Sequence, residues 1–180
     1  MNYIKTWKKV ILRPSDFYKR MPTSGGYTDP ISFAAINYII NAFGVTLVRP
    51  SIFALIGIHE LRPTVSSFTG VIEMIIGGII GLFILALIVN ILYHLKIFGG
   101  TGNHEGTLRF ISYASATTLF SWIPFVGLIT VIYHIYLYIV GGMIVQNVSM
   151  KKSTMFTLLF FGLPMIWICW RTGILPSFPH

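Results

Sequence analysis

The stretch "GVIEMIIGGIIGLFILALIVNILY", residues 70–93, decides the class of fold. It holds one charged side chain, Glu73, close to its start, and one amide, Asn90, close to its end. At about 1.5 Å per residue, a helix of this length crosses the roughly 30 Å hydrocarbon core of a bilayer. Composition agrees. The 180-residue chain is 54% hydrophobic and 10% charged, where a soluble domain carries about a quarter charged residues. That is too little charge to wet a surface, so the chain reads as an integral membrane protein. The formal net charge of +8 does not point to nucleic acid. Its basic residues lie beside the apolar runs and have anionic lipid headgroups as their natural counter-charge. The single cysteine, Cys169, excludes an intramolecular disulfide.

Working outward from residues 70–93, four more apolar runs appear, over about 31–48, 107–121, 125–145 and 153–170. The expected fold is all-α, with five transmembrane helices. Residues 1–30 form a cytoplasmic segment ahead of a membrane domain over 31–171, and 172–180 form a short external tail. The third run is the shortest, and Ser112, Ser115, Thr117, Thr118 and Ser121 weaken its hydropathy. Pro164 predicts a kink in the fifth. Residues 51–69 read equally as loop, half-helix or re-entrant segment. Residues 13–30, "RPSDFYKRMPTSGGYTDP", interrupt any early apolar core, so the first span rather than a cleaved leader is expected to direct insertion.

With five spans, ten Lys and Arg residues fall on one side and three (Arg49, Arg62, Arg171) on the other. The positive-inside rule then places the N-terminus in the cytoplasm and the C-terminus outside. Removing the third span would strand Lys151 and Lys152 on the far side. Trp7 falls at the inner interface, and Trp122, Trp167 and Trp170 at the outer. In "NYIKTWKKVIL" (residues 2–12), Tyr3, Ile4, Trp7, Val10 and Ile11 share one helical face, and Lys5, Lys8 and Lys9 share the other. This predicts an amphipathic helix lying in the headgroup plane, ended by Pro14.

The order of motifs is informative as a series. "LRPSDFYKRM" (12–21), "DPISFAAINYII" (29–40), "YHL" (93–95), "GGTGNHEGTLRFISYASA" (99–116), "WIPFVGLI" (122–129) and "MKKSTMFTLL" (150–159) succeed one another. This succession, over roughly residues 10–170, resembles the Yip family of five-span membrane proteins, the Ypt/Rab-interacting proteins and their prokaryotic relatives. The resemblance implies five spans and a cytoplasmic N-terminus. For eukaryotic members it implies association with Rab GTPases and vesicle trafficking. Those members carry a longer N-terminal region and an Asp-Leu-x-Gly-Pro type motif, which this sequence lacks. Rab binding is therefore not carried over, and the chain looks like a compact prokaryotic-type member living in the cell membrane.

Little in the sequence points to catalysis. "GGTGNHEG" (99–106) lacks the spacing and the Gly-Lys-Ser/Thr of a phosphate loop. It reads as a flexible turn, or as an anion site in which Lys96, Thr107 and Arg109 meet a lipid phosphate at the helix start. His94, His104 and Glu105 do not form a metal-ligand pattern; His94 instead shares a face with Asn90. Glu73 pairs with an arginine or reaches the interface. No catalytic residue, metal or cofactor is expected. Gly77 and Gly81, with Gly78, form a smooth face for helix packing or for a homo-oligomer. An intramembrane polar set comprises Asn37, Asn41, Asn90, His94, Thr117, Thr118 and His134. His134 falls near mid-bilayer, where an ionisable ring normally faces the bundle interior; Asn41, Thr117 and Thr118 are its candidate partners. Two readings follow: a non-enzymatic protein that shapes or organises membrane or recruits partners, or a small transporter whose path these residues line.

The charge count yields a direct test. Cysteines placed near Met1 and Lys151 should label only from the cytoplasmic side, and one near His180 only from outside. Labelling of the His180 position from the cytoplasmic side would reject five spans.

Overall fold

The computed structural model describes residues 2–51, 68–123 and 125–164, and every regular element among them is helical. Arg62, Cys169, Trp167, Trp170, Arg171, residues 52–67 of the 51–69 connection and the 172–180 tail lie outside the described residues. Helix α1 (Tyr3–Leu12) is capped by Asn2, whose side chain accepts from the Lys5 amide at 3.1 Å. It stops at Arg13, whose backbone (φ −142°, ψ 59°) leaves the helical region that a following proline disfavours. Pro14 then opens α2 (Pro14–Arg20), where its missing N–H is not needed.

Helix α3 (Thr28–Phe43) tolerates Pro30 because it lies in the first turn. It runs on through a π-turn, Gly44–Val48, to Ser51, past the Arg49–Pro50 pair at which the sequence suggested an end. Helix α4 spans Phe68–Tyr93. Helix α5 (His104–Ala114) starts earlier than the apolar pattern implies, because Asn103 caps it: its Oδ1 accepts from Gly106 N at 2.8 Å. It tightens into a 3-10 turn, Ser115–Phe120. Helix α6 is Val126–Val145. Helix α7 (Met150–Thr157) is capped by Ser149 and widens into a second π-turn, Leu158–Gly162.

The two π-turns share a cause. Each ends two residues before a proline, Pro50 or Pro164. A proline inside a helix lacks a donor and presses its ring on the carbonyl four residues back. In both places the residue preceding the proline bonds five residues back: Arg49 N–H to Gly44 O, and Leu163 N–H to Leu158 O. The wider turn accommodates the proline, which itself lies in helix in both places.

Among the described residues, three helices are long and apolar enough to cross a membrane: Thr28–Ser51, Phe68–Tyr93 and Val126–Val145. They carry outward apolar stripes, such as Ile72, Ile76, Ile80, Ile84 and Ile88 on α4 and Leu128, Ile129 and Ile132 on α6. Helix α5 lies among them, packed on α3, α4 and α6, and residues 106–114 are all buried. This accounts for its weak hydropathy: its neighbours are protein on every side.

Helix α1 has its apolar face turned onto this bundle and not away from it. Val10 is fully buried, and Tyr3, Trp7 and Ile11 pack against the core. Trp7 Nε1 donates to the Ala116 carbonyl at 3.0 Å, and its ring meets Phe120 edge-on. The Tyr133 hydroxyl donates to the Ile11 carbonyl. Helix α2 follows suit: Tyr18 is buried with its hydroxyl toward the Phe110 carbonyl, and burial raises its pKa well above the ordinary value, which keeps it a donor. The same periodic pattern that suggested a lipid-facing helix is spent here on protein. The residues of α1 left outside are Ile4, Leu12 and the lysines.

This docking gives a stability prediction. Trp7→Ala should destabilise the detergent-solubilised protein by about 2 kcal/mol, below the range for fully buried tryptophans. Ile4→Ser and Leu12→Ser, at exposed positions, should leave the melting temperature within a degree or two of wild type, read by circular dichroism. Equal losses in all three would mean that α1 is not docked this way.

Candidate functional site

The polar residues of the bundle gather around α5 in three layers. At the inner end, Thr107 is the hub. Its hydroxyl donates to the Asn103 carbonyl at 2.9 Å and accepts from Asn90 Nδ2 at 3.0 Å and Gln146 Nε2 at 2.6 Å. Asn90 also donates to the Gly102 carbonyl at 3.1 Å, and Gln146 Oε1 accepts from Gly102 N at 3.2 Å. The loop before α5 is thereby clamped to α4 and α6. A side chain at Gly102 would collide with the Val145 carbonyl and the Gln146 amide, so this glycine serves close approach. Only Gly99 in "GGTGNHEG" has the positive φ (+65°) that a flexible-turn reading assigns to its glycines.

About two turns further along α5, Asn37 of α3 is fully buried. Its Nδ2 donates to Phe33 O at 3.0 Å and Ser115 Oγ at 3.1 Å, and its Oδ1 accepts from the Tyr3 hydroxyl at 2.6 Å. This one amide joins α1, α3 and α5. Beyond it, Asn41 Nδ2 donates to the Thr118 carbonyl at 2.7 Å and to Ser121 Oγ. His134 of α6 meets Thr117: Nδ1 and Oγ1 are 2.7 Å apart, and the Thr117 hydroxyl also reaches Ala114 O at 3.1 Å. Of the three candidate partners, Thr117 is the one that bonds the ring, while Asn41 and Thr118 bond each other. The His134 ring also lies 4.7 Å from that of Tyr138.

The other sequence candidates are placed separately. His94 is exposed, with Nδ1 2.7 Å from the Asn90 backbone oxygen. Thr107 and Arg109, proposed with Lys96 to hold an anion, point to opposite faces of α5. Thr107 is buried in the hub, whereas Arg109 Nε and Nη2 bond Glu105 at 3.2 and 3.1 Å and Nη2 bonds Gly26 O at 2.5 Å. Lys96 is exposed on the turn after α4. These three residues do not converge. Gly78 faces Tyr38 of α3, with 3.0 Å available to an added Cβ, while Gly77 and Gly81 have no described neighbour within 4 Å. The close approach is thus α4 to α3, through Gly78. Glu73 is exposed. Among the described residues no group of three metal-ligating side chains occurs.

Four contributors escaped the sequence reading: Tyr3, Ser115, Glu105 and Gln146. Gln146 carried a signal, being an amide at the end of an apolar run and beside two glycines, Gly141 and Gly142.

A sheath of apolar helices around a buried polar helix, tied by amide and hydroxyl bonds, defines a polytopic helical membrane protein. The family model for the Yip1 domain matches residues 8–171, and the chain belongs to the Yip family. No curated protein and no solved structure matches it.

The His134–Thr117 pair can be weighed by a double-mutant cycle. We expect His134→Phe and Thr117→Val each to lower thermal stability and to be coupled by about 1 kcal/mol, the size of measured hydrogen bonds between membrane helices. His134→Gln should recover part of the loss. Additive effects would show that the bond contributes nothing.

Proposed function

We propose that this Yip-family chain is a non-enzymatic integral membrane protein that organises or shapes the bilayer or recruits partners there. It would insert with five spans, the N-terminus cytoplasmic and the C-terminus external. In this reading α5 with its 3-10 turn, and α7 with its continuation, are the two spans beyond the three long apolar helices. One observation carries the functional reading: the amides and Thr117 of the intramembrane polar set are tied within the chain, although the buried Ser112 hydroxyl has no such bond. Asn37, Asn41, Asn90 and Thr117 each end on another helix or on the loop they clamp. A permeation path needs such groups turned toward water or substrate; here they hold helices in register.

Helix α1 fits the same reading at the inner surface. Ile4 and Leu12 are 63% and 73% exposed and lie among Lys5, Lys8 and Lys9, a pattern suited to a bilayer edge rich in anionic headgroups. The open pair Gly77 and Gly81 offers a second copy a smooth surface for close helix approach. A Rab-type GTPase partner is not part of the proposal.

The transporter reading keeps one supporting observation. His134 lines a groove of about 250 Å³ with Thr117, Thr118 and Ser121, and another of about 520 Å³ with Tyr38, Gly78 and Ser115. Reconstitution separates the two. In vesicles loaded with a pH-sensitive dye, the organising role predicts proton leak equal to that of protein-free vesicles, and vesicle diameter that falls as protein density rises. A flux present in wild type and lost in His134→Gln would overturn it in favour of transport.

A further inference from the structure

A polar cleft of about 410 Å³ opens between the α1–α2 hairpin on one side and α3 and α5 on the other. Four cationic side chains line it: Lys9, Arg13, Arg20 and Arg109. Arg109 is more than nine-tenths buried and anchored by Glu105 and the Gly26 carbonyl through Nε and Nη2. Lys9, Arg13 and Arg20 are exposed and make no side-chain hydrogen bond or ion pair among the described residues. Asp16 and Asp29 also line the cleft, and Asp29 is engaged in an interaction of its own. Even with Glu105 set against Arg109, cations outnumber carboxylates.

Three uncommitted cations around one concavity repel each other, and the carboxylates of Asp16 and Asp29 offset them only in part, so a further anion is favoured there. Guanidinium groups match phosphate oxygens in geometry as well as charge. The cleft wall also has an aromatic part, Phe17 against Tyr113 with centroids 4.9 Å apart. Tyr113 stands nine residues into α5, about 14 Å from its inner end by helix rise. The cavity thus descends from the basic rim toward the depth of glycerol and upper acyl carbons.

We propose that this cleft binds the phosphate of a phosphoglycerolipid, with Arg13, Arg20 and Lys9 around the phosphate and Phe17 and Tyr113 against the glycerol. The shared chemistry is a phosphate oxyanion. The lipid as its source rests on the inner-surface placement under Proposed function, whereas binding itself does not. This site replaces the Lys96, Thr107 and Arg109 grouping, from which only Arg109 is retained.

Calorimetric titration of the detergent-solubilised full chain tests it with three ligands: dihexanoyl phosphatidic acid, inorganic phosphate and dihexanoylglycerol. We expect phosphatidic acid to bind at least tenfold more tightly than phosphate, and the uncharged diacylglycerol not to bind. Arg13→Gln combined with Arg20→Gln should weaken phosphatidic acid at least tenfold with an unchanged melting temperature. Lys19→Gln, an exposed charge that does not line the cleft, should bind as wild type. Equal molar affinity for phosphatidic acid and inorganic phosphate would uphold the phosphate site and assign it a soluble source. The proposal is overturned if diacylglycerol binds as well as phosphatidic acid, or if the double variant binds like wild type. It is overturned equally if Lys19→Gln loses as much. Such failure would leave the membrane topology, tested separately by labelling, as it stands.

Discussion

The structure depends on a single awkward helix. Helix α5 carries Thr107, Arg109, Ser112 and, in its tight last turn, Ser115 and Thr117, all buried. Lipid offers such side chains no partner, and an unsatisfied polar group in hydrocarbon is costly. Helix α5 must therefore be surrounded by protein, and each neighbour supplies a group at the level of a polar side chain, Ser112 alone among these five keeping a hydroxyl without a bond. Helix α4 brings Asn90, α6 brings Gln146 and His134, and α3 brings Asn37 and Asn41. Between membrane helices there is little hydrophobic driving force, because lipid tails are as apolar as leucine. Register is then set by packing and by these bonds, each modest alone.

The N-terminal segment follows from the same requirement. The three long apolar helices leave part of α5 and its 3-10 turn for α1 and α2 to cover. Trp7 caps the Ala116 carbonyl and Tyr3 completes the bonding of Asn37. Tyr18 approaches the Phe110 carbonyl, and Tyr133 of α6 holds the end of α1 through Ile11. Helices this short are marginal on their own. Their order comes from docking, so α1 and α2 belong to the core as much as to the surface.

The level of residues along the bundle was legible in the sequence; rotation and partnership were not. The run over residues 70–93 and that over 125–145 match helices of nearly those bounds, since long apolar periodicity leaves few alternatives. His134 and Thr117 could be brought to one level by counting residues. Counting could not say that Asn41 would turn to Thr118 instead. The amphipathic pattern of residues 3–11 specified a helix with one apolar face, but such a pattern reads alike against lipid and against protein. The same ambiguity hid the glycine-rich loop. Gly102 is small because the Gln146 amide and Val145 carbonyl press against it, and a loop of free glycines would have the same letters. Pro50 misled for another reason: a π-turn ahead of it carries the helix on to Ser51, and nothing in the letters announces that.

Turning the apolar face of α1 inward also decides where the chain's charge goes. An interfacial helix free of the bundle would spread its lysines over the headgroups. Docked, α1 and α2 carry Lys9, Arg13 and Arg20 to the wall of a cavity whose opposite side is held by Arg109. The Glu105–Arg109–Gly26 bonds are what fix that opposite side. Glu105 accepts from the Gly26 amide at 2.7 Å while Arg109 donates to the Gly26 carbonyl, so the loop before α3 is stitched to the start of α5 through both its backbone groups. A buried guanidinium held by a carboxylate and a carbonyl is rigid, whereas the three cations facing it are exposed and unpaired. Anchored charge on one wall and exposed charge on the other suits a ligand that must enter from the side. Four of the thirteen basic side chains are thus brought to one cavity, together with Asp16 and Asp29, by the demands of a polar helix that had to be covered.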